Sequence, residues 1–163
     1  MTKTNAMRQL DRAKIAYEVQ CYDYDESDLS GVHASQALGM PPEQIFKTLV
    51  TRGEKKGLQV FCIPVDATLD LKKAARISGD KKIEMIAVKD LQALTGYIRG
   101  GCSPIGMKKL YPTYLDETAL CFDRIGVSAG ARGQQILVDP EDLIRFVPMQ
   151  AADLTLSYKG EAI

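Results

Sequence analysis

The sequence predicts an α+β fold with a mixed or mostly antiparallel sheet, on three observations. Short apolar or alternating runs, which mark strands, are mixed irregularly with helical patterns. No regular strand–helix–strand alternation runs along the chain, and no GxGxxG is present, which sets a dinucleotide-binding fold aside. The 163 residues contain no linker, repeat or low-complexity segment. They therefore predict a single domain over 1–163, large enough to bury a core without staples.

A short helix is expected near Asn5 to Lys14, where Met7 and Leu10 share helical spacing. Ile15, Tyr17, Val19 and Cys21 then alternate with Ala16, Glu18, Gln20 and Tyr22, a strand with one buried face and Tyr22 on the other. Acidic, turn-forming residues occupy Asp23 to Gly31. Val32 to Leu38 reads as a helix stopped by Gly39, Pro41-Pro42 starts a turn, and Phe46 to Thr51 is a strand. Leu58 to Val65 is a more hydrophobic strand, and the turn at Glu54 to Gly57 makes these two a hairpin. Asp70 is placed to cap a helix that runs through Ile77 and ends at Gly79. Ile83 to Val88 is a short strand and Lys89 to Leu94 a short helix ended by Gly96. Thr113 to Leu115, Arg124 to Ser128 and Gln135 to Val138 are further short strands. Asp139-Pro140-Glu141-Asp142 combines an N-cap, proline at the first helical position and acids in the first turn, so a helix should run to about Phe146.

Basic and acidic residues balance at 21 each. A neutral chain is not a strong stand-alone polyanion binder, so any contact with nucleic acid should be local or assisted by a partner. No apolar run approaches the ~18 residues of a membrane span, and nothing resembles a signal peptide. Cys21, Cys62, Cys102 and Cys121 are widely spaced, without a CxxC pair. They read as reduced thiols of a cytoplasmic protein, not a disulfide framework or zinc site.

Absent chemistry narrows the mechanism. His33 is the one histidine, so a Ser-His-Asp or Cys-His machine has a single available base. No metal-ligand cluster and no GxxxxGK[ST] is visible, and neither a metal nor a cofactor is expected. An enzyme built from these residues would work by positioning and electrostatics, with the substrate supplying reactive groups.

The segment Thr95 to Lys109, TGYIRGGCSPIGMKK, holds Gly96, Gly100, Gly101, Gly106 and Pro104. It reads as a shaped loop offering main-chain N–H groups to an oxygen-rich ligand; the alternative is a tight connection between strands. Lys47 lies in the strand-like run IFKTLV, on the face of Leu49 and Thr51 and opposite Phe46, Thr48 and Val50. It is either an edge charge that discourages aggregation or a cation held for an anion. Ser128-Ala-Gly-Ala-Arg-Gly133 follows a strand and suits a second oxygen-binding turn or a plain hairpin turn. Tyr22 is either a half-exposed strand tyrosine or a stacking surface for a base. Lysine pairs at 55–56, 72–73, 81–82 and 108–109 would suit an RNA backbone if several converged.

IFKTLV, LDLKKAA at Leu69 to Ala75, KKIEM at Lys81 to Met85, TGYIRGGCSPIGMKK, and VSAGARG at Val127 to Gly133 together resemble the YbaK/EbsC family. The likeness runs from about Asn5 to Pro148. The resemblance implies a compact α+β domain around a mixed, barrel-like sheet, related to the editing domain of bacterial prolyl-tRNA synthetases. It implies removal of cysteine from mischarged Cys-tRNA(Pro), with the tRNA(Pro) acceptor end and prolyl-tRNA synthetase as partners. The need is physical: a pocket that accepts proline cannot strongly exclude smaller amino acids, since a methylene is worth only ~1–3 kcal/mol.

By the same resemblance Lys47 is the essential lysine, and Gly100 and Gly101 belong to the GxxxP loop beside the aminoacyl carbonyl. Tyr22, Leu29, Thr48, Cys102, Ser103, Pro104, Ser128, Gly130, Arg132 and Gln135 line the substrate. The implied mechanism for cysteine is attack of the substrate's own thiolate on its ester, which makes Cys102 a pocket or loop residue and not the nucleophile. Leu29-Ser30-Gly31 and Gln135 depart from the best-known members, which carry an aromatic beside glycine and an acid. The alternatives are a deacylase for another small amino acid such as alanine, and a non-catalytic module that binds a nucleotide or tRNA 3′ end.

Overall fold

An antiparallel hairpin, β2 (Phe46–Gly53) and β3 (Gly57–Pro64), lies at the centre of the computed structural model, with Lys47 opposite Ile63 and Val50 opposite Val60. The structure describes residues 2–156; the ends of the predicted 1–163 domain lie outside them. Around the hairpin stand β1 (Tyr17–Cys21), β4 (Ile83–Met85), β5 (Thr113–Asp116), β6 (Ile125–Ser128), β7 (Gln134–Val138) and β8 (Gln150–Ala152). The helices are α1 (Asn5–Arg12), α2 (Gly31–Leu38), α3 (Leu71–Ser78), α4 (Leu91–Thr95) and α5 (Pro140–Phe146).

The strands form a five-stranded sheet in the order β4-β2-β3-β5-β8 and a three-stranded sheet in the order β1-β7-β6. The β3–β5 and β5–β8 pairings are parallel and the others antiparallel, so the sheet is mixed as expected. It is not closed into the barrel that the resemblance implied. Among the described residues β2 carries only the three-residue β4 on its outer side, over Thr51 to Gly53, and the residue before it, Ile45, meets the second sheet at an isolated bridge to Gly126. A bridge in place of a ladder leaves β2 with an open edge around Lys47 to Leu49.

β3 explains its own hydrophobic run. Val60 and Cys62 enter the main core with Phe46, Val50, Leu115, Val127 and Ile136, while Phe61 and Ile63 enter a second cluster with Leu69, Ala74 and Leu154. A strand buried on both faces needs apolar residues at successive positions. Phe61 stacks on Tyr114 at a centroid separation of 5.1 Å, within the range of favourable offset pairs. α1 supplies Met7 and Leu10, both fully buried, from one helical face.

Local signals held at most helix ends. Asp70 accepts from the N–H groups of Lys72 and Lys73, and Asp139 accepts from Glu141 at the start of α5. α2, α3 and α4 end at Gly39, Gly79 and Gly96. The expected strand over 83–88 is shorter, Ile83–Met85, because Val88–Asp90 turns as a 3-10 helix before α4 begins at Leu91. β8 was not foreseen. It is a three-residue edge strand held parallel to β5, and its ladder, not an apolar period, defines it.

Candidate active site

The open edge of β2 borders a cavity of about 280 Å³. Its wall contains Tyr22, Leu29, Lys47, Thr48, Gly100, Cys102, Ser128 and Gln135, so eight of the proposed residues converge. They come from the end of β1, the segment before α2, β2, the glycine loop, and β6 and β7. Arg99, Ser30, Ala34 and Val65 also line it and were not among the proposed site residues. Arg99 stood inside the glycine-rich motif, and its place beside Gly100 was the available signal.

Lys47 is half-buried on the face that the alternation assigned. Burial lowers its ammonium pKa below the ordinary 10.5, and the charge of Asp66 acts in the opposite direction. Ser128 and Gln135 are buried, and their Cα positions are paired across β6 and β7. The Ser128 hydroxyl accepts from the Gly130 N–H at 3.1 Å. The Gln135 carboxamide oxygen is buried without a hydrogen-bond partner among the described residues. A buried acceptor left unpaired costs free energy unless a ligand satisfies it.

Ladder geometry adds main-chain groups. The Val50 carbonyl accepts from Ile86 on the outer side of β2. Strand groups alternate, so Thr48 turns its N–H and C=O to the same side, along the open edge. Glycine is required where the loop turns beneath. Gly100 has φ +84° beside Leu29, and a Cβ on Gly101 would stand 3.1 Å from the Arg132 nitrogen and 3.2 Å from the Ala131 carbonyl carbon.

The remaining proposed residues support this loop and do not line the cavity. The Gly101 N–H bonds the Ile98 carbonyl at 3.0 Å, and Gly101 is buried. Ser103 is fully buried and its hydroxyl accepts from the Ile105 N–H at 3.2 Å. Pro104 faces a different cavity, beside Gln9 and Phe146. Gly130 packs on the ring of Tyr97, whose hydroxyl donates to the Ile105 carbonyl. Arg132 donates Nε–H to the Arg99 carbonyl at 2.9 Å. The Cys102 thiol is pushed up to about 12 by burial, which outweighs its hydrogen bond with Thr95. At neutral pH it is a thiol and a poor nucleophile. His33 stands in the first turn of α2 and is absent from the cavity wall.

The family model of the aminoacyl-tRNA editing domain matches residues 30–146. The chain is 50% identical over 153 residues, 94% of its length and 93% of the relative's, to EbsC of Enterococcus faecalis, by name a candidate Cys-tRNA(Pro)/Cys-tRNA(Cys) deacylase. It is 27% identical over 124 residues to YwhH of Bacillus subtilis, covering 76% of this chain and 78% of that protein. A solved structure described as a candidate trans-editing enzyme for prolyl tRNA synthetase superposes with TM-score 0.81 at 28% identity, covering 96% of this chain and all of that one. The hypothetical protein APE2540 shares the fold at TM-score 0.83 and 18% identity, over 91% of this chain and 97% of its own. The chain therefore belongs to the aminoacyl-tRNA editing domain family.

Proposed function

We propose that this protein is a cytoplasmic aminoacyl-tRNA deacylase that removes cysteine from mischarged Cys-tRNA(Pro), acting in trans beside prolyl-tRNA synthetase. The chain acts as one editing domain. The observation that carries the reading is the half-buried Lys47 ammonium on a cavity wall that also holds Gly100, Ser128 and the unpaired Gln135 oxygen. A desolvated cation beside free main-chain groups suits an ester whose carbonyl oxygen gains negative charge in the transition state. The names of EbsC and of the trans-editing relative supply the substrate class.

The cysteine substrate brings its own nucleophile. Its thiol loses a proton to water, and the sulfur attacks its own ester carbonyl carbon. The oxyanion lies toward Lys47 and the Gly100 N–H. The C–S bond forms, the bond from carbonyl carbon to ribose oxygen breaks, and a proton from solvent returns to the ribose oxygen as the thiolactone departs. No protein base or thiol is needed. Tyr22 and Leu29 set the size of the amino-acid end, and the Gln135 oxygen accepts from the substrate's α-amino group.

The test is release of labelled amino acid from Cys-tRNA(Pro), Cys-tRNA(Cys), Ala-tRNA(Pro) and Pro-tRNA(Pro), with and without prolyl-tRNA synthetase. Accelerated loss of cysteine with intact Pro-tRNA(Pro), and a thiolactone product, is the expected result. Acceleration only on Ala-tRNA(Pro) would replace the cysteine assignment, and saturable binding with no acceleration would replace the enzyme with a binding module.

A further inference from the structure

We propose that a groove between α1, the end of α5 and the far half of the glycine loop docks an acidic segment of a protein partner; that this partner is prolyl-tRNA synthetase rests on the reading above. Two hollows of about 210 and 320 Å³ form the groove and share Gln9 and Phe146. The glycine loop borders both this groove and the cavity. Gly100 and Cys102 face the cavity, whereas Pro104 to Met107 face the groove, and the two sites share no wall residue. A chain seated in the groove therefore leaves the ester site open. Leu110 on the groove wall is 73% exposed, more than any other large apolar side chain of the described residues. With Met107, Phe146 and Val147 on the same wall, it makes an apolar surface of the kind that marks an interaction site.

Charge selects the occupant. Arg12 and Lys109 stand on the groove wall, and Arg8 lies one turn before Arg12 on the exposed face of α1. Arg8, Arg12 and Lys109 are in none of the ion pairs of the described residues. Neither hollow is lined by an acid. In a chain whose charges balance at 21 of each sign, this is a local excess of positive charge. Carboxylates of a partner would pair with these cations while apolar side chains fill the hollows, the anchor-and-rim pattern of a protein interface. A second copy is disfavoured, because a two-fold contact sets one basic patch against the other. An RNA backbone would meet the cations and leave Leu110 and the apolar wall uncovered.

The test titrates the full chain into prolyl-tRNA synthetase of the same cell, without tRNA, by calorimetry. Binding should be saturable and weaken as salt rises. Leu110→Asp and Arg12→Glu, both at exposed positions, should each weaken it about tenfold or more, the scale of an interface anchor. Both variants should release cysteine from Cys-tRNA(Pro) at the wild-type rate when the synthetase is absent, and lose any acceleration that the synthetase gives. A carbodiimide should join the Lys109 amine to an aspartate or glutamate of the synthetase, and that crosslink should vanish in Leu110→Asp.

Absence of synthetase binding, or equal affinity in wild type and both variants, would overturn the proposal. So would protection of Lys109 from acylation by tRNA alone, which gives the groove to RNA, or self-association abolished by Leu110→Asp, which gives it to a second copy. The two readings fail separately. Cysteine release by the wild-type protein with synthetase affinity unchanged in the variants sinks the groove alone. Synthetase binding that the variants lose, with no deacylation by the wild type, sinks the deacylase reading alone.

Discussion

Arg132 donates its Nε–H to the main-chain carbonyl of Arg99 at 2.9 Å, tying the turn between β6 and β7 to the glycine loop. Beside that bond, Gly101 packs against the Ala131 and Arg132 main chain. Two connections that are distant in sequence thus form one rigid floor under the cavity. Gly101→Ala forces backbone apart, because neither contacting atom belongs to a flexible side chain. The expected cost is about 1–3 kcal/mol, the range for overpacking, read by chemical denaturation. Deacylation should fall further than stability, since Gly100 moves with its neighbour. Arg132→Ala should cost about 1 kcal/mol, as an interaction near the surface.

Lys47→Ala and Lys47→Met should fold and lose at least a hundredfold in kcat, the scale of one oxyanion-stabilising group. Lys47→Met should leave stability unchanged or higher. The folded pKa of Lys47 is lowered, so the unfolded chain holds its proton more tightly, and charged Lys47 disfavours the fold at neutral pH. That cost fades as pH rises through the lowered value toward 10.5. In the pH–rate profile, substrate thiol ionisation raises the rate with pH, and loss of the Lys47 proton brings it down earlier than an ordinary lysine would. Lys47→Arg should move that alkaline fall beyond the measurable range, since arginine stays charged.

Gln135→Leu should raise KM for Cys-tRNA(Pro) several-fold with little change in unfolding free energy. The wild-type carboxamide oxygen has no partner to lose among the described residues, so an apolar replacement leaves no new unpaired group. A drop in stability of more than about 1 kcal/mol would show that Gln135 serves the core instead.

Cys102→Ala should retain activity within about threefold. The half-buried thiol, pushed up to about 12, is not ionised at neutral pH. Iodoacetamide at neutral pH should modify the exposed Cys121 and spare Cys102 and Cys62. Loss of activity in Cys102→Ala with the fold intact would return a protein thiol to the mechanism.

Asp80 gathers two of the lysine pairs. Its carboxylate accepts main-chain N–H groups from Lys55, Lys56, Lys81 and Lys82, between 2.7 and 3.4 Å. Burial pushes its pKa up, but these donors outweigh burial and leave it below 3.8. The stabilisation is therefore present above the ordinary carboxylate range and is lost as pH falls through the folded value. Asp80→Asn should lower Tm at neutral pH, and the gap from wild type should narrow on acidification below about pH 4. A pH-independent gap would contradict the carboxylate's role.

The helix caps at Asp70 and Asp139, the stops at Gly39, Gly79 and Gly96, and the β2–β3 hairpin were legible in the sequence. Each is decided by hydrogen bonds and dihedral limits within a few residues. Alternation likewise placed Lys47 on its face of β2. The glycine loop announced a shaped turn, because few other residues accept its backbone. Tertiary structure alone decided which loop residues face the cavity: Gly100 and Cys102 do, while Ser103 is buried. It alone brought Ser128 and Gln135 of one sheet to Lys47 of the other, and left β2 unpaired at Thr48 by making β4 three residues long. Pairing between distant strands depends on the packing of the whole chain, and no local pattern encodes where a ladder ends.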